Sequence, residues 1–351
     1  RSTDLTKMSQ WVREQQYDVR SMILLRQGQV AFQWYAGGVT PDHNHNVYSV
    51  TKSVVATLAG IAVEDGKIED VQVTLAKLYP QESAVQDDVR KGRVSLEDLL
   101  TMRSGFQCSR GNTPGPQRVL FNQIHAARDR ESFILDLDML RGPGETFAYG
   151  NAEPQIVAAI LEHTYRERLP EMAQHTLFAT LNFANVRWNY ADAQGAVPGG
   201  YGLRLRAIDM AKLGQLYLQQ GKWQQQQLFS PDWVAEATTD QTGTGYGYYW
   251  WTSREGKPPF FAARGVRGQQ IYVDPDRQLV FVMVADLPPE QVRRVREKLN
   301  QFVIASAAEK SPLPVRERDT DALNRELSIA KDYVPWHREG LPQARLPQLP
   351  Q

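Results

Sequence analysis

Ser49-Val50-Thr51-Lys52 sets a hydroxyl and an amine three residues apart, the spacing at which a helix stacks two side chains on one face. A serine in the first turn has its oxygen at the positive end of the helix dipole, which stabilises a developing alkoxide. Burial of the lysine against an apolar helix lowers its pKa until the neutral amine can accept the serine proton. The pair therefore reads as a nucleophile with its base. Ser328-Ile329-Ala330-Lys331 repeats the spacing near the C-terminus, but only the first copy begins an apolar, core-grade helix directly after a strand pair.

Two further strings carry polar chemistry. Tyr149-Gly150-Asn151, the only Tyr-x-Asn in the chain, follows Gly142-Pro143-Gly144-Glu145. Alone it reads as a buried tyrosine beside a turn asparagine. Ala263-Arg264-Gly265-Val266-Arg267-Gly268-Gln269 lies at a strand entrance, where glycine lets the backbone approach a ligand closely. Among the six histidines, His43-x-His45 invites a metal reading but lacks a nearby third ligand, so it reads as a polar loop. The single cysteine, Cys108, excludes an internal disulfide framework and any Cys-based metal site. Gly-rich phosphate loops are absent, and no metal or nucleotide is expected.

These strings need elements to hold them. Leu5–Gln16 is amphipathic; Val19–Arg26 and Gln29–Trp34 form a hairpin across Gln27-Gly28; Tyr48–Asp65 repeats its apolar residues at helical spacing and stops at Gly66. Helical patterns at Leu96–Met102, Glu131–Leu140 and Pro154–Leu169 alternate with Pro- and Gly-bearing loops. Ala207–Gln220 is again helical, Tyr246–Thr252, Gln270–Val273 and Leu279–Ala285 read as strands, and Pro288–Ala308 closes as a helix. The order implies an α/β (α+β) fold. Residues 1–70 and 201–310 would make a split sheet domain, with an antiparallel five-stranded sheet flanked by helices. Residues 71–200 would be a mostly helical insertion, and 311–351, with six prolines and little periodicity, a tail that packs on the surface or stays mobile.

Composition narrows the function. A chain of 351 residues with 42% hydrophobic and 23% charged residues builds a sizeable core. Forty basic residues balance forty acidic ones, so no net field draws it to nucleic acid or an anionic membrane. The most apolar stretch, Val54–Val63, is about half the roughly 20 residues of a bilayer span.

Taken together and in this order, Ser-x-x-Lys, Tyr-x-Asn and the Gly-bearing strand resemble the serine β-lactamase and penicillin-binding superfamily, most closely its class C and esterase branch. Val94 to Gly105 is similar to that branch's Leu-Leu-Thr-x-x-Ser-Gly segment, and Gly199 to Leu218 to its Gly-Gly loop and following helix. The resemblance covers roughly residues 12–308. It implies a β-lactamase-like fold and two-step acyl transfer without a cofactor. Ser49 would be the nucleophile, Lys52 its proton acceptor and Tyr149 the second acid/base. Asn151 would orient Lys52 and the substrate, and the backbone N–H groups of Ser49 and Val266, the latter beside Gly265, would hold the oxyanion.

One position departs from the pattern. Where β-lactamases and peptidases carry a lysine or histidine that meets the substrate carboxylate, this chain has Ala263. Arg264 or Arg267 is the expected replacement for that charge, although a guanidinium sits differently. The departure favours a serine hydrolase of carboxylic esters or small amides, similar to 6-aminohexanoate-dimer hydrolase. A β-lactamase or D-alanyl-D-alanine carboxypeptidase is the alternative, and an idle ligand-binding protein on the same scaffold the third. The expected partner is a small-molecule ester or amide. Aromatics Tyr246, Tyr248, Tyr249, Trp250 and Trp251 are expected to be packed core, with a pocket wall as the alternative. A first residue other than Met, together with the resemblance, suggests a periplasmic or secreted protein, with the cytoplasm as the alternative.

Overall fold

The apolar runs sort into helices and strands by which of their faces is covered. The computed structural model describes residues 1–107, 110, 114–253, 259–307 and 316–334; Cys108 and His337 lie outside them. The elements that matter here are helix α1 (Ser2–Glu14), strands β1 (Val19–Arg26) and β2 (Gln29–Tyr35), helices α2 (Val50–Glu64), α3 (Ala152–Tyr165) and α4 (Ala207–Leu218), strands β3 (Trp251–Thr252), β4 (Phe261–Arg264), β5 (Gln270–Asp274) and β6 (Leu279–Ala285), and helices α5 (Pro289–Ser306) and α6 (Glu317–Ala330). Short helices between Leu75 and Leu135 and at Leu169–Ala173 fill the stretch around α3.

The strands make one antiparallel sheet in the order β2-β1-β6-β5-β4-β3. It has six strands rather than the expected five, because Phe261–Arg264 pairs with β5 as a strand of its own. Tyr246–Thr252 is mostly not a strand. Tyr246, Tyr248, Tyr249 and Trp250 are buried in a turn, with Tyr249 at φ +57°, and only Trp251–Thr252 reaches the sheet edge.

Side chains alternate across the pleat, so the sheet has two covered faces. One packs on α2 and α4 and continues into the short helices and α3. The other, with Met22, Leu24, Phe281 and Met283, is covered by α1, α5 and α6. Every residue from Val50 to Ala62 is buried, which marks α2 as the central helix. At Gly60 it lies so close to Trp233 that a Cβ would stand 2.6 Å from the indole ring.

The C-terminal region includes a helix that packs on α1. All six prolines of 311–351 fall outside 316–334, and that stretch is the amphipathic helix α6 followed by a turn. Glu326 on α6 is buried and accepts from Ser9 Oγ at 2.8 Å and from Arg13 Nε at 2.7 Å on α1. Ser328 lies in this helix, and Lys331 follows its last residue, packed beside Gly37 just past β2. Among the described residues no helix is long and apolar enough to cross a membrane.

Candidate active site

The site forms where α2 begins. Tyr48 takes φ +47°, an unusual conformation for a tyrosine, and its N–H donates to Asn46 Oδ1 at 3.0 Å. This turn sets Ser49 at the helix N-terminus, partly exposed, with Lys52 one turn further on and 1% exposed.

Around Lys52 Nζ stand three oxygens: Asn151 Oδ1 at 2.8 Å, the Gly200 carbonyl at 3.0 Å and Ser49 Oγ at 3.3 Å. The first two can only accept. A neutral amine has two N–H groups and one lone pair, so the two carbonyls occupy both N–H groups and leave the lone pair for the Ser49 hydroxyl. Burial lowers the Lys52 pKa to about 7; Glu153 pulls it up and Arg110 pushes it down. Tyr149 is hydrogen-bonded to Ser49, and burial raises its phenol to about 12. Its ring centroid lies 5.0 Å from Lys52 Nζ and 5.5 Å from the Trp251 ring.

Asn151 is the N-cap residue of α3, yet its side chain makes no capping hydrogen bond. An asparagine there normally contributes about 0.5–2 kcal/mol to the helix by capping. Its amide is turned to Lys52 instead. Gly200 reaches the amine because it lacks a side chain: a Cβ would stand 2.7 Å from Asn151 Oδ1 and 3.1 Å from Lys52 Nζ. The Gly-Gly pair was visible in the sequence, but the part of its second carbonyl was not.

The third string also comes close to α2. A Cβ on Gly265 would stand 2.6 Å from the Val47 carbonyl oxygen, two residues before Ser49. Val266 follows in a short helical turn, 38% exposed. The two arginines expected to replace the missing cation are committed elsewhere. Ala263 is fully buried on the α2 face of the sheet, so Arg264, one residue on, projects to the opposite face. There it stacks over Phe260, 6.0 Å from the centroid, and feels Glu297 of α5. Arg267, at φ +63°, is ion-paired with Asp286. Neither arginine joins the Ser49–Lys52 cluster.

Glu153 escaped the sequence reading. It is 1% exposed on the first turn of α3, its Oε1 accepts from Ser104 Oγ at 2.9 Å, and burial raises its carboxyl to about 7. Ser104 belongs to the Leu-Leu-Thr-x-x-Ser-Gly segment, so that segment's serine serves the helix that carries Asn151. Tyr246 packs edge-on to Tyr149 at 5.9 Å and the Trp251 ring lies tilted against it at 5.5 Å, while Tyr248, Tyr249 and Trp250 are core. His45 is buried and neutral, its pKa lowered to about 3, with its ring tilted against that of His43 at 4.8 Å. No cluster of metal-ligating side chains occurs among the described residues.

The beta-lactamase family model matches residues 8–306. 6-Aminohexanoate-dimer hydrolase of Paenarthrobacter ureafaciens is 24% identical over 295 residues, covering 78% of this chain and 74% of that protein. Two solved structures share the fold. EstCE1, a hydrolase with promiscuous acyltransferase activity, superposes with a TM-score of 0.69 at 18% identity, over 86% of this chain and 99% of that one. A class C beta lactamase from Rhodobacter sphaeroides superposes with a TM-score of 0.63 at 15% identity, over 88% and 100%.

Proposed function

We propose that this chain, a hydrolase that belongs to the beta-lactamase family, cleaves carboxylic esters or small amides through an acyl-enzyme on Ser49. The observation that carries the reading is the surroundings of Lys52 Nζ, where two obligate acceptors leave one lone pair facing Ser49 Oγ.

In the first step Ser49 Oγ attacks the substrate carbonyl carbon and its proton passes to neutral Lys52. The tetrahedral oxyanion lies against the backbone N–H groups of Ser49 and Val266. Lys52 and Tyr149 are pushed in opposite directions by the same burial, to about 7 and about 12. Lys52 is therefore the base, and Tyr149 stays protonated as the carrier that gives its phenolic proton to the leaving alcohol or amine and is reprotonated from Lys52. The C–O or C–N bond breaks, leaving the acyl group on Ser49. Water then attacks the acyl-enzyme, its proton returns through Tyr149 and Lys52, and Ser49 is released. Asn151 holds the amine by its carbonyl and turns its amide N–H groups toward the substrate.

A fluorophosphonate probe tests this reading, with the adduct located by peptide mass spectrometry. Wild type should label at Ser49, Ser49→Ala should neither label nor turn over a p-nitrophenyl ester, and Ser328→Ala should match wild type. A wild-type protein that neither labels nor hydrolyses any ester or amide is the idle binding protein instead.

A further inference from the structure

Arg110 reaches the site from the stretch before the helix Pro116–Ala126 and is anchored there by its N–H, which donates to the Gln117 carbonyl at 3.1 Å. Its guanidinium carbon lies 5.5 Å from the centroid of the Tyr149 ring, whose hydroxyl bonds Ser49. Its charge is felt by both Lys52 and Tyr149. Yet Nε is buried without a hydrogen-bond partner, and no carboxylate of a described residue pairs with the group. Arg267, by contrast, is matched by Asp286, and Arg264 lies on the far face of the sheet.

A buried donor left unmatched costs free energy that a bound acceptor recovers. A guanidinium lying over an aromatic ring keeps its planar edge for a planar anion, and a carboxylate fits that fork. We propose that Arg110 binds a carboxylate of the substrate, so that this hydrolase prefers small esters or amides carrying a free carboxylate near the scissile bond. The inference rests on the acyl-transfer reading of Ser49.

The test compares kcat/KM for mono-p-nitrophenyl glutarate, an anion, with that for p-nitrophenyl butyrate, which is neutral. A charge-assisted hydrogen bond sets the scale, so Arg110→Gln should lower the anionic-to-neutral ratio by about 10–100-fold. Arg110→Lys should restore part of it, and Arg118→Gln, an exposed arginine on the adjoining helix, should leave it unaltered. The ratio cancels general damage to the site. A ratio that does not move in Arg110→Gln overturns the proposal. If wild type turns over neither ester, the acyl-transfer reading has failed, and calorimetric titration with glutarate decides the Arg110 site separately. Heat of binding present in wild type and lost in Arg110→Gln supports the site; equal heats, or none in either protein, overturn it.

Discussion

Lowering the pH from about 9 to about 5 should switch this protein off as Lys52 takes up a proton. An ordinary lysine titrates at 10.5; burial brings this one to about 7. At pH 7 about half of the Lys52 population is then neutral, against roughly 3 in 10⁴ for an unshifted amine, so the pocket supplies about a thousandfold more base. The ester kcat/KM should be level above pH 8, bend near pH 7 and fall tenfold per unit below about pH 6. Lys52→Met should lose about 10²–10⁴ in rate and show no bend. The same proton appears in stability, and the sign can be worked out. The unfolded chain holds it up to about pH 10.5 while the native state releases it near 7, so between those values the unfolded state binds one more proton. Wild-type stability should therefore rise with pH relative to Lys52→Met across that window. A wild-type rate that stays flat to pH 5, or a bend that survives in Lys52→Met, refutes the assignment of Lys52 as base.

Other perturbations have distinct signatures. Tyr149→Phe keeps the aromatic packing on Tyr246 and Trp251 but removes one proton carrier, so ester turnover should fall about 10²–10⁴-fold with an unchanged melting curve; wild-type turnover would make Tyr149 a packing residue only. Glu153→Gln removes a charge that raises the Lys52 pKa, so the acid limb of the pH profile should move to lower pH, and a shift upward contradicts the electrostatics. Gly60→Ala drives a methyl group to 2.6 Å from the Trp233 ring and should cost about 1–3 kcal/mol in chemical denaturation, whereas an increase in stability shows that Trp233 has room to move.

The fold was legible wherever one period dominates. Val19–Arg26 and Leu279–Ala285 alternate or run apolar over seven or eight residues and form strands with those bounds. Phe261–Arg264 shows in the sequence only as the string at a strand entrance from Ala263 on, because four residues carry too few periods to set bounds and pairing with β5 defines them. The aromatic run from Tyr246 failed for the opposite reason. Its composition favours a strand, but the need to bury Tyr246, Tyr248, Tyr249 and Trp250 together is met by a turn at Tyr249 instead. The helix α6 shows little in the sequence of 311–351 because that region's six prolines flank it on both sides.

At the site, what could be read was the residues whose identity the proposed chemistry demands, and what could not was everything supplied by backbone or by charge at a distance. Ser49, Lys52, Tyr149 and Asn151 stand in strings of fixed spacing, and the fold brings all four within one hydrogen-bonded group. The Gly200 carbonyl belongs to no side chain and leaves no mark except a glycine where a Cβ would collide. Arg264 stands beside Ala263 along β4, but a pleated strand sends neighbours to opposite faces, so that arginine points away from Ser49. Three local rules are broken here at once: Tyr48 is at positive φ, Asn151 leaves its helix uncapped, and a lysine is buried without a carboxylate bonded to it. Each costs stability, and none strengthens the core around it. Each also occurs elsewhere in the molecule, with Gln16 and Gln220 at positive φ, α1 without a side-chain cap and Lys91 buried on the Leu135 carbonyl, so it is their meeting beside Ser49 that supports the proposed acyl transfer.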